Sequence, residues 1–462
     1  MYHYNLIIIG SGSGGFAAAS SAQASGLRKI LLIEKRRIGY SLCTNEGCMP
    51  SKVLLASAGV KDVIEHAGEF GIRAGKPQVL WKKVQERVRR LVEKDFFSAR
   101  REMIKQSGIE IVKGVARFLD SHTIAVGRKK IRGEKIIIAT GSEVVIPPIQ
   151  GLKETGFIDS DRALYLDTLP KSLIIIGGGY IAVELGTLFS TMGVSVTIID
   201  RGDGILKRID GDVAGALQKL LQKSGVTILL NAQIESVRRV GKDKVVAIAK
   251  GGKRRGVSAD EILIAAGRKP TIGGLGVENT GVSVSVEGAI DVNEYMQTSI
   301  SHIYAVGDAN GKFPLVYAAS MEGNIAGTHA AVGKASKMRY DLIASIIFSR
   351  PEIGTVGLTE VEAQGSGLQT ISATIPMSGI GKAVAIGKTE GFIKLIAEKP
   401  SGKILGVHIL GAQATDIIQV ALPHLYHNDT VFDVINIPYP HPTLGEALSY
   451  PAEEIVKKLE SG

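Results

Sequence analysis

The sequence predicts an α/β fold in which one doubly wound, parallel-sheet unit occurs twice, followed by a separate αβ region. Three observations predict this. A strand, a glycine-rich turn and a helix of small residues occur in that order near the N-terminus and again from about residue 173. Of the 462 residues, 56 are glycine, well above the usual share of about 7%, as many tight strand-to-helix turns require. The chain is 45% apolar and only 22% charged, with apolar periodicity throughout, which excludes a disordered chain. The length predicts about three domains.

The first strand, over 6–9, runs into Gly10-Ser11-Gly12-Ser13-Gly14-Gly15 and a helix beginning Phe16-Ala17-Ala18-Ala19. A second strand, over 30–33, ends on Glu34. This is a Rossmann-like dinucleotide fingerprint. Gly10 makes the turn, Gly12 lets a pyrophosphate approach the free N–H groups of the helix, and Gly15 admits close packing of helix on strand. Glu34 is placed to accept from ribose hydroxyls. The apolar start superficially resembles a signal peptide. No Lys or Arg precedes it, and its glycines suit a phosphate loop, so no secretory signal is expected.

The only two cysteines follow, in Cys43-Thr44-Asn45-Glu46-Gly47-Cys48-Met49-Pro50-Ser51-Lys52. A regular helix would hold residues i and i+5 roughly 8 Å apart at Cα, beyond the ~7 Å a disulfide spans. Gly47 makes a bend cheap. A bridge over so short a loop adds little stability and suits a strained, redox-active disulfide. The alternatives are two unrelated buried thiols or half of a metal site. Zinc would need two further ligands, and no other Cys or His lies nearby, so no metal site is expected. Without a secretory signal or a structural disulfide framework, the expected compartment is the cytoplasm.

A helical stretch is expected over 52–107. Its densest basic part, 81–107, holds nine Lys/Arg and four Asp/Glu, with Val84, Val88, Leu91 and Val92 at helical spacing. That pattern is a solvated basic face on an amphipathic helix. The net charge of +10 raises nucleic acid as a partner, but no nucleic-acid motif accompanies it and none is expected. No apolar run approaches the ~20 residues of a membrane span, so no membrane partner is expected.

Pro147-Pro148-Ile149-Gln150-Gly151 marks a crossover. Beyond it a strand over 173–176 meets Gly177-Gly178-Gly179-Tyr180-Ile181-Ala182, then a helix with Glu184 and a strand ending on Asp200. The span from first glycine to acid is 10 to 34 in one copy and 177 to 200 in the other. Two dinucleotide sites and a disulfide define an electron path. A flavin exchanges hydride with a nicotinamide and electrons with a dithiol. It belongs in the first site, because Cys43 lies nine positions after Glu34. The second site then takes NAD or NADP. Asp200 accepts from a ribose 2′-OH and repels a 2′-phosphate, favouring NAD. Arg201, Lys207 and Arg208 leave NADP possible.

The chain resembles the class I pyridine nucleotide-disulfide oxidoreductases over essentially all of its 462 residues. Residues 43–52 match the family's C-x-N-x-G-C-x-P-[SK]-K element. Ala139-Thr140-Gly141 and Ala266-Gly267-Arg268 look like its two A-[TX]-G-type strand ends. Tyr304-Ala305-Val306-Gly307-Asp308 looks like its second FAD motif, and His441-Pro442-Thr443-Leu444-Gly445-Glu446 like its C-terminal H-P-x-x-x-E. The resemblance implies a glutathione-reductase-like architecture. An FAD domain over 1–147 carries the redox disulfide, and an NAD domain spans 148–272. A central domain over 273–341 returns to FAD, and 342–462 forms an interface domain for homodimerisation. It implies that Cys43 is the interchange thiol and Cys48 the charge-transfer thiol against the flavin. His441 would be the acid/base, held by Glu446 and reaching the other subunit's site. Lys52 would lie near the flavin and pair with Glu184. Tyr180 would gate the nicotinamide pocket, and Asp308 would bind the ribityl or phosphate side of FAD. A cis His441–Pro442 bond is expected too, given the prolines at 438, 440 and 442.

The resemblance has one departure. Relatives read G-G-T-C before the first cysteine; this chain has Gly39-Tyr40-Ser41-Leu42-Cys43, one residue longer. The glycines lost are those that normally admit FAD phosphate. For activity, NAD preference favours the branch that oxidises dihydrolipoamide, on a free dithiol or a lipoyl domain. The alternative is NAD(P)H-dependent reduction of another disulfide, such as glutathione, or of a metal ion such as mercury. No further C-terminal cysteine pair of the mercuric type is present. The net charge weighs against docking on a basic partner domain.

Overall fold

A computed structural model describes residues 2–461. The first sheet has seven strands. Tyr2–Ile9 lies at its centre, parallel to Ile30–Glu34 on one side and to Lys129–Ile138 on the other. Glu110–Lys113 extends the parallel part beyond Ile30–Glu34. Thr123–Val126 and Ala116–Phe118 add an antiparallel flap. The strand Ile303–Ala305 comes back from far along the chain to pair in parallel with Ile136, Ile137 and Ile138. Such a sheet is covered on both faces, so its strands are apolar without alternation. Ile7, Ile9, Leu31 and Ile33 enter one core layer, and Leu6, Ile8, Ile30 and Leu32 the opposite one.

The second sheet repeats this plan. Ser172–Ile176 is central, parallel to Ser195–Ile199 and Glu261–Ile264, with Thr227–Leu229 and Ile158–Asp159 at the edges. A three-stranded antiparallel sheet, 233–259, packs beside it. Two short antiparallel strands, Ser142–Val144 and Arg268–Pro270, form the crossing between the units. From residue 345 onward a five-stranded antiparallel sheet is backed by Ser449–Glu460 and shorter helices.

Two helices decide where the first site lies. Ser13–Ala24 and Val316–Val332 cross backbone to backbone: a Cβ on Gly323 would fall 2.2 Å from the Gly14 carbonyl oxygen, and one on Gly327 2.2 Å from that of Ala18. The small residues that marked the first helix in the sequence serve this crossing.

The arm from Trp81 to Gln106 is helical throughout, with a π-helical turn at Leu91–Phe97 between α-helical segments. Val88 and Val92 are buried, as the amphipathic reading requires. The π-turn inserts one residue into the period. The buried face then continues through Phe97 and Ile104, while Met103 is left exposed.

Candidate active site

The bend between the cysteines comes from a second π-helical turn, Leu42–Glu46, rather than from Gly47 alone. Ser41 caps it, accepting from the Thr44 N–H at 3.0 Å. The helix Cys48–Glu65 starts directly after Gly47, where a Cβ would press within 3.1 Å of the Leu42 carbonyl oxygen. A π-turn stacks residues about five apart, so it closes the separation that an α-helix leaves open. Both cysteines are half-buried, and each is the strongest influence on the other's thiol.

The thiols are unequal. Cys43 donates to Cys48, and this hydrogen bond, with help from the Lys52 ammonium, lowers Cys48 to about 7 against burial and the Glu184 charge. The Cys43 thiol is pushed up by the same hydrogen bond and by burial. Cys48 is thus the sulfur that gains thiolate character as pH rises through neutrality, and Cys43 the one that keeps its proton.

Lys52 and Glu184 do meet: Nζ lies 2.8 Å from Oε2. Glu184 Oε1 accepts from the Phe348 N–H at 3.0 Å, and the Lys52 ammonium sits 4.2 Å above the Phe348 ring. The ion pair joins the cysteine helix to the helix that follows the second glycine loop, Tyr180–Thr191.

The glycine loops fit dinucleotides. Gly10 and Gly177 adopt φ of +107° and +116°, and a Cβ on either would collide with a neighbouring strand's carbonyl. Gly15 lies so close to the Gly10 carbonyl that a Cβ would stand 1.9 Å from it. Gly12 and Gly179 are different. Their φ of −60° and −82° suit any residue, and a Cβ on either would meet nothing within 4 Å. Both are N-caps without a side-chain cap, leaving helix N–H groups free for an anion. The hydroxyl of Thr140, whose backbone N lies 3.5 Å from a Cβ built on Gly10, is buried without a partner among the described residues. FAD fits the first loop and NAD(P) the second.

Glu34 is buried and accepts from Ser11 N at 2.8 Å and Ser11 Oγ at 2.6 Å, with its other oxygen on Arg36 N at 2.7 Å. Asp200 accepts from Gly202 N at 2.6 Å. Gly141 and Gly267 take left-handed φ of +72° and +114°. Arg268 donates to Ser142 and pairs with Asp161 at 3.0 Å, and Ser142 in turn donates to Asp308. Arg268 therefore sets the Asp308 side of the first site through Ser142. Tyr180, on the first turn after Gly179, has its hydroxyl pKa raised by burial and lies beside Ser345 and Arg208.

His441 stands apart from the dithiol. Its Nδ1 is 2.9 Å from Glu446 Oε2, its peptide to Pro442 is cis as expected, and its side chain is 69% exposed while that of Glu446 is 7% exposed. Neither His441 nor Glu446 is among the leading influences on either cysteine thiol. The carboxylate holds the imidazole facing outward from its own protomer.

Two residues of the site escaped sequence reading. Glu322, fully buried on Val316–Val332, accepts from Gly307 N at 2.6 Å, Asn310 Nδ2 at 2.9 Å and the Tyr340 hydroxyl at 2.7 Å. It clamps the turn that presents Gly307 and Asp308, and burial raises it to about 7. Its signal was an acid inside a helix of small residues. The other is Arg100, which turns inward from the basic arm to donate to Ser11 O at 2.8 Å.

Two adjacent dinucleotide loops, one facing a dithiol, can pass electron pairs between a thiol substrate and a nicotinamide. Residues 4–323 match the pyridine nucleotide-disulphide oxidoreductase family, and residues 343–452 match that family's dimerisation domain. The chain belongs to this family and is an FAD-containing, NAD(P)-linked oxidoreductase with a redox-active cysteine pair. It is 37% identical to a dihydrolipoyl dehydrogenase of Bacillus subtilis (strain 168) over 450 residues, covering 96% of each chain. It is 33% identical to a mercuric reductase of Bacillus cereus, covering 97% of this chain and 70% of that protein. Among solved structures, the Cu(II) complex of the HOCl-induced flavoprotein disulfide reductase RclA from Escherichia coli superposes with a TM-score of 0.87 at 28% identity, covering 98% of this chain and all of that one. No helix among the described residues is long and apolar enough to cross a membrane.

Proposed function

We propose that this enzyme is a dihydrolipoamide dehydrogenase, oxidising dihydrolipoyl groups and reducing NAD⁺. The observation that carries the reading is the Cys43–Cys48 dithiol joined by Lys52 and Glu184 to the second dinucleotide loop. Asp200 and the end-to-end match to dihydrolipoyl dehydrogenases support the choice of NAD and substrate.

A substrate thiolate attacks Cys43 of the oxidised pair, breaking the Cys43–Cys48 bond and leaving Cys48 as thiolate beside Lys52. The second substrate thiol attacks the mixed disulfide, releasing the cyclic disulfide and the Cys43 thiol. His441, held by Glu446 and supplied by the second protomer of a homodimer, takes the proton of the first attacking thiol; at the second attack it gives a proton to the Cys43 sulfur as that leaves and takes the proton of the second thiol. FAD, when bound, supplies the two-electron link from the dithiol to NAD⁺. Tyr180 covers the nicotinamide position. The four regions 1–147, 148–272, 273–341 and 342–462 then divide the labour into flavin, nicotinamide, flavin-return and interface parts. We place the enzyme in the reducing cytoplasm, where a lipoyl domain is one source of substrate.

A second reading is NAD(P)H-driven reduction of another small disulfide or of a metal ion. The net charge of +10 and the likeness to RclA and to mercuric reductases favour it.

The test follows NADH formation from dihydrolipoamide and NAD⁺, with NADP⁺ in parallel. Fast turnover with NAD⁺ alone supports the first reading. Failure with both nucleotides, in protein holding FAD and a reducible disulfide, overturns it in favour of the second.

A further inference from the structure

The helical arm carries one basic residue that has left the solvated face. In an uninterrupted α-helix, the buried positions after Val88 and Val92 fall near 96, 99 and 103. The π-turn at Leu91–Phe97 moves them to Phe97, the half-buried Arg100 and Ile104. Arg100 Nη2 donates to the carbonyl oxygen of Ser11, inside the first glycine loop, at 2.8 Å. Its guanidinium lies 5.7 Å from the ring centroid of Phe16, on the first turn of the following helix. Its Nε is buried with no partner among the described residues. Cys43 and Glu34 are the ionisable groups whose charge reaches it.

Those neighbours fix its place along a bound flavin dinucleotide. On the proposed assignment of the first loop to FAD, the adenosine ribose would lie at Glu34 and the flavin ring at the cysteines, so the pyrophosphate would span the interval between them. Arg100 occupies that interval, against the loop that receives the phosphates. A buried guanidinium with an unused donor is costly without an anion. The chain's departure from its relatives points the same way. Where they have a glycine pair, Gly39 here packs so tightly on Arg101 that a Cβ would lie 3.0 Å from its Cα, and Tyr40 lies under the Arg36 guanidinium at 4.5 Å. This turn braces the arm next to Arg100.

We propose that Arg100 is a pyrophosphate-binding residue of the FAD site, its guanidinium supplying phosphate contacts from outside the glycine loop. A planar fork of donors suits two phosphate oxygens.

The test is titration of the apoprotein with FAD, followed by flavin fluorescence, with ADP as competitor, for the wild type, Arg100→Gln and Arg100→Lys. Loss of a charged hydrogen bond predicts a FAD Kd raised about tenfold to a hundredfold in Arg100→Gln, with ADP competition weakened in parallel. Arg100→Lys keeps the charge without the fork and falls between. A misfolded fraction lowers the titration end point without moving the Kd, which separates folding from binding. Unchanged FAD affinity in Arg100→Gln overturns the proposal, as does weakened FAD binding with ADP competition intact. Slower alkylation of Cys43 at unchanged FAD affinity would overturn it as well, assigning Arg100 to the thiol.

Discussion

The two glycine loops share a turn and differ in what surrounds it. Gly10 and Gly177 hold nearly the same backbone angle, and Gly12 and Gly179 are equally free of packing. Yet Glu34 is buried with both oxygens engaged, whereas Asp200 is half-buried and holds one loop N–H. The first loop is crossed by Arg100 and faces the cysteine turn; Gly179 in the second is exposed. We read the walled loop as the one that keeps its cofactor and the open loop as the one that exchanges at each turnover.

The largest effect is expected from filling the cradles. At Gly12 the backbone suits an L-residue and a Cβ would meet nothing within 4 Å, so Gly12→Val is expected to keep the fold while blocking the phosphate position. The purified protein should be colourless, with flavin absorbance lost. Gly179→Val should keep its flavin and show a KM for NADH raised at least about tenfold. Yellow Gly12→Val protein would show that the loops are not assigned as described.

Next in size is the dithiol, which only the first loop faces. Cys48→Ser should lower dihydrolipoamide oxidation at least about a thousandfold, while NADH oxidation by a quinone acceptor persists through the second loop and the flavin. Given the exposed His441–Glu446 pair and the shared site proposed above, Cys48→Ser and His441→Ala homodimers should both be inactive, and verified mixed dimers should regain activity. Mixed dimers that stay inactive would exclude a shared site.

Much of this was legible in the sequence, for physical reasons. Phosphate loops need glycine at fixed positions, and a carboxylate at a strand end needs the strand before it, so both fingerprints could be read in full. The Lys52–Glu184 pair was expected through family resemblance, and the two side chains meet. Arg100 was read as part of a solvated face because a period of 3.6 residues was assumed. One extra residue in a π-turn rotates everything after it, and hydrophobic spacing alone does not announce such a turn. Glu322 was missed because its partners, Gly307, Asn310 and Tyr340, meet only in three dimensions. The bend at the cysteines was credited to Gly47, whereas the π-turn before it provides most of it.

A smaller effect sharpens the link between the loops. The Lys52 ammonium lowers Cys48, which stands at about 7. Removing it in Lys52→Met withdraws a favourable charge from the thiolate, so the Cys48 pKa must rise, by about one unit for a nearby charge. The thiolate exists above its pKa, so the thiolate-to-flavin absorbance of the dithiol-reduced enzyme should then appear at higher pH than in wild type. A midpoint that stays or falls would show that the Cys43 hydrogen bond alone sets the acidity.

The smallest effect tests whether the two acids are equivalent. Asp200→Asn keeps an acceptor for the Gly202 N–H but removes the charge that repels a 2′-phosphate. Arg201 and Lys207, the latter still paired with Asp203 at 2.6 Å, then face the phosphate without the Asp200 charge. The kcat/KM for NADPH should rise about tenfold relative to that for NADH, since a single surface charge near a ligand is worth about one factor of ten. Glu34→Gln should leave that ratio unchanged and instead speed release of FAD, because its loop is the walled one. A changed nucleotide ratio in Glu34→Gln, with Asp200→Asn silent, would reverse the assignment of the two loops.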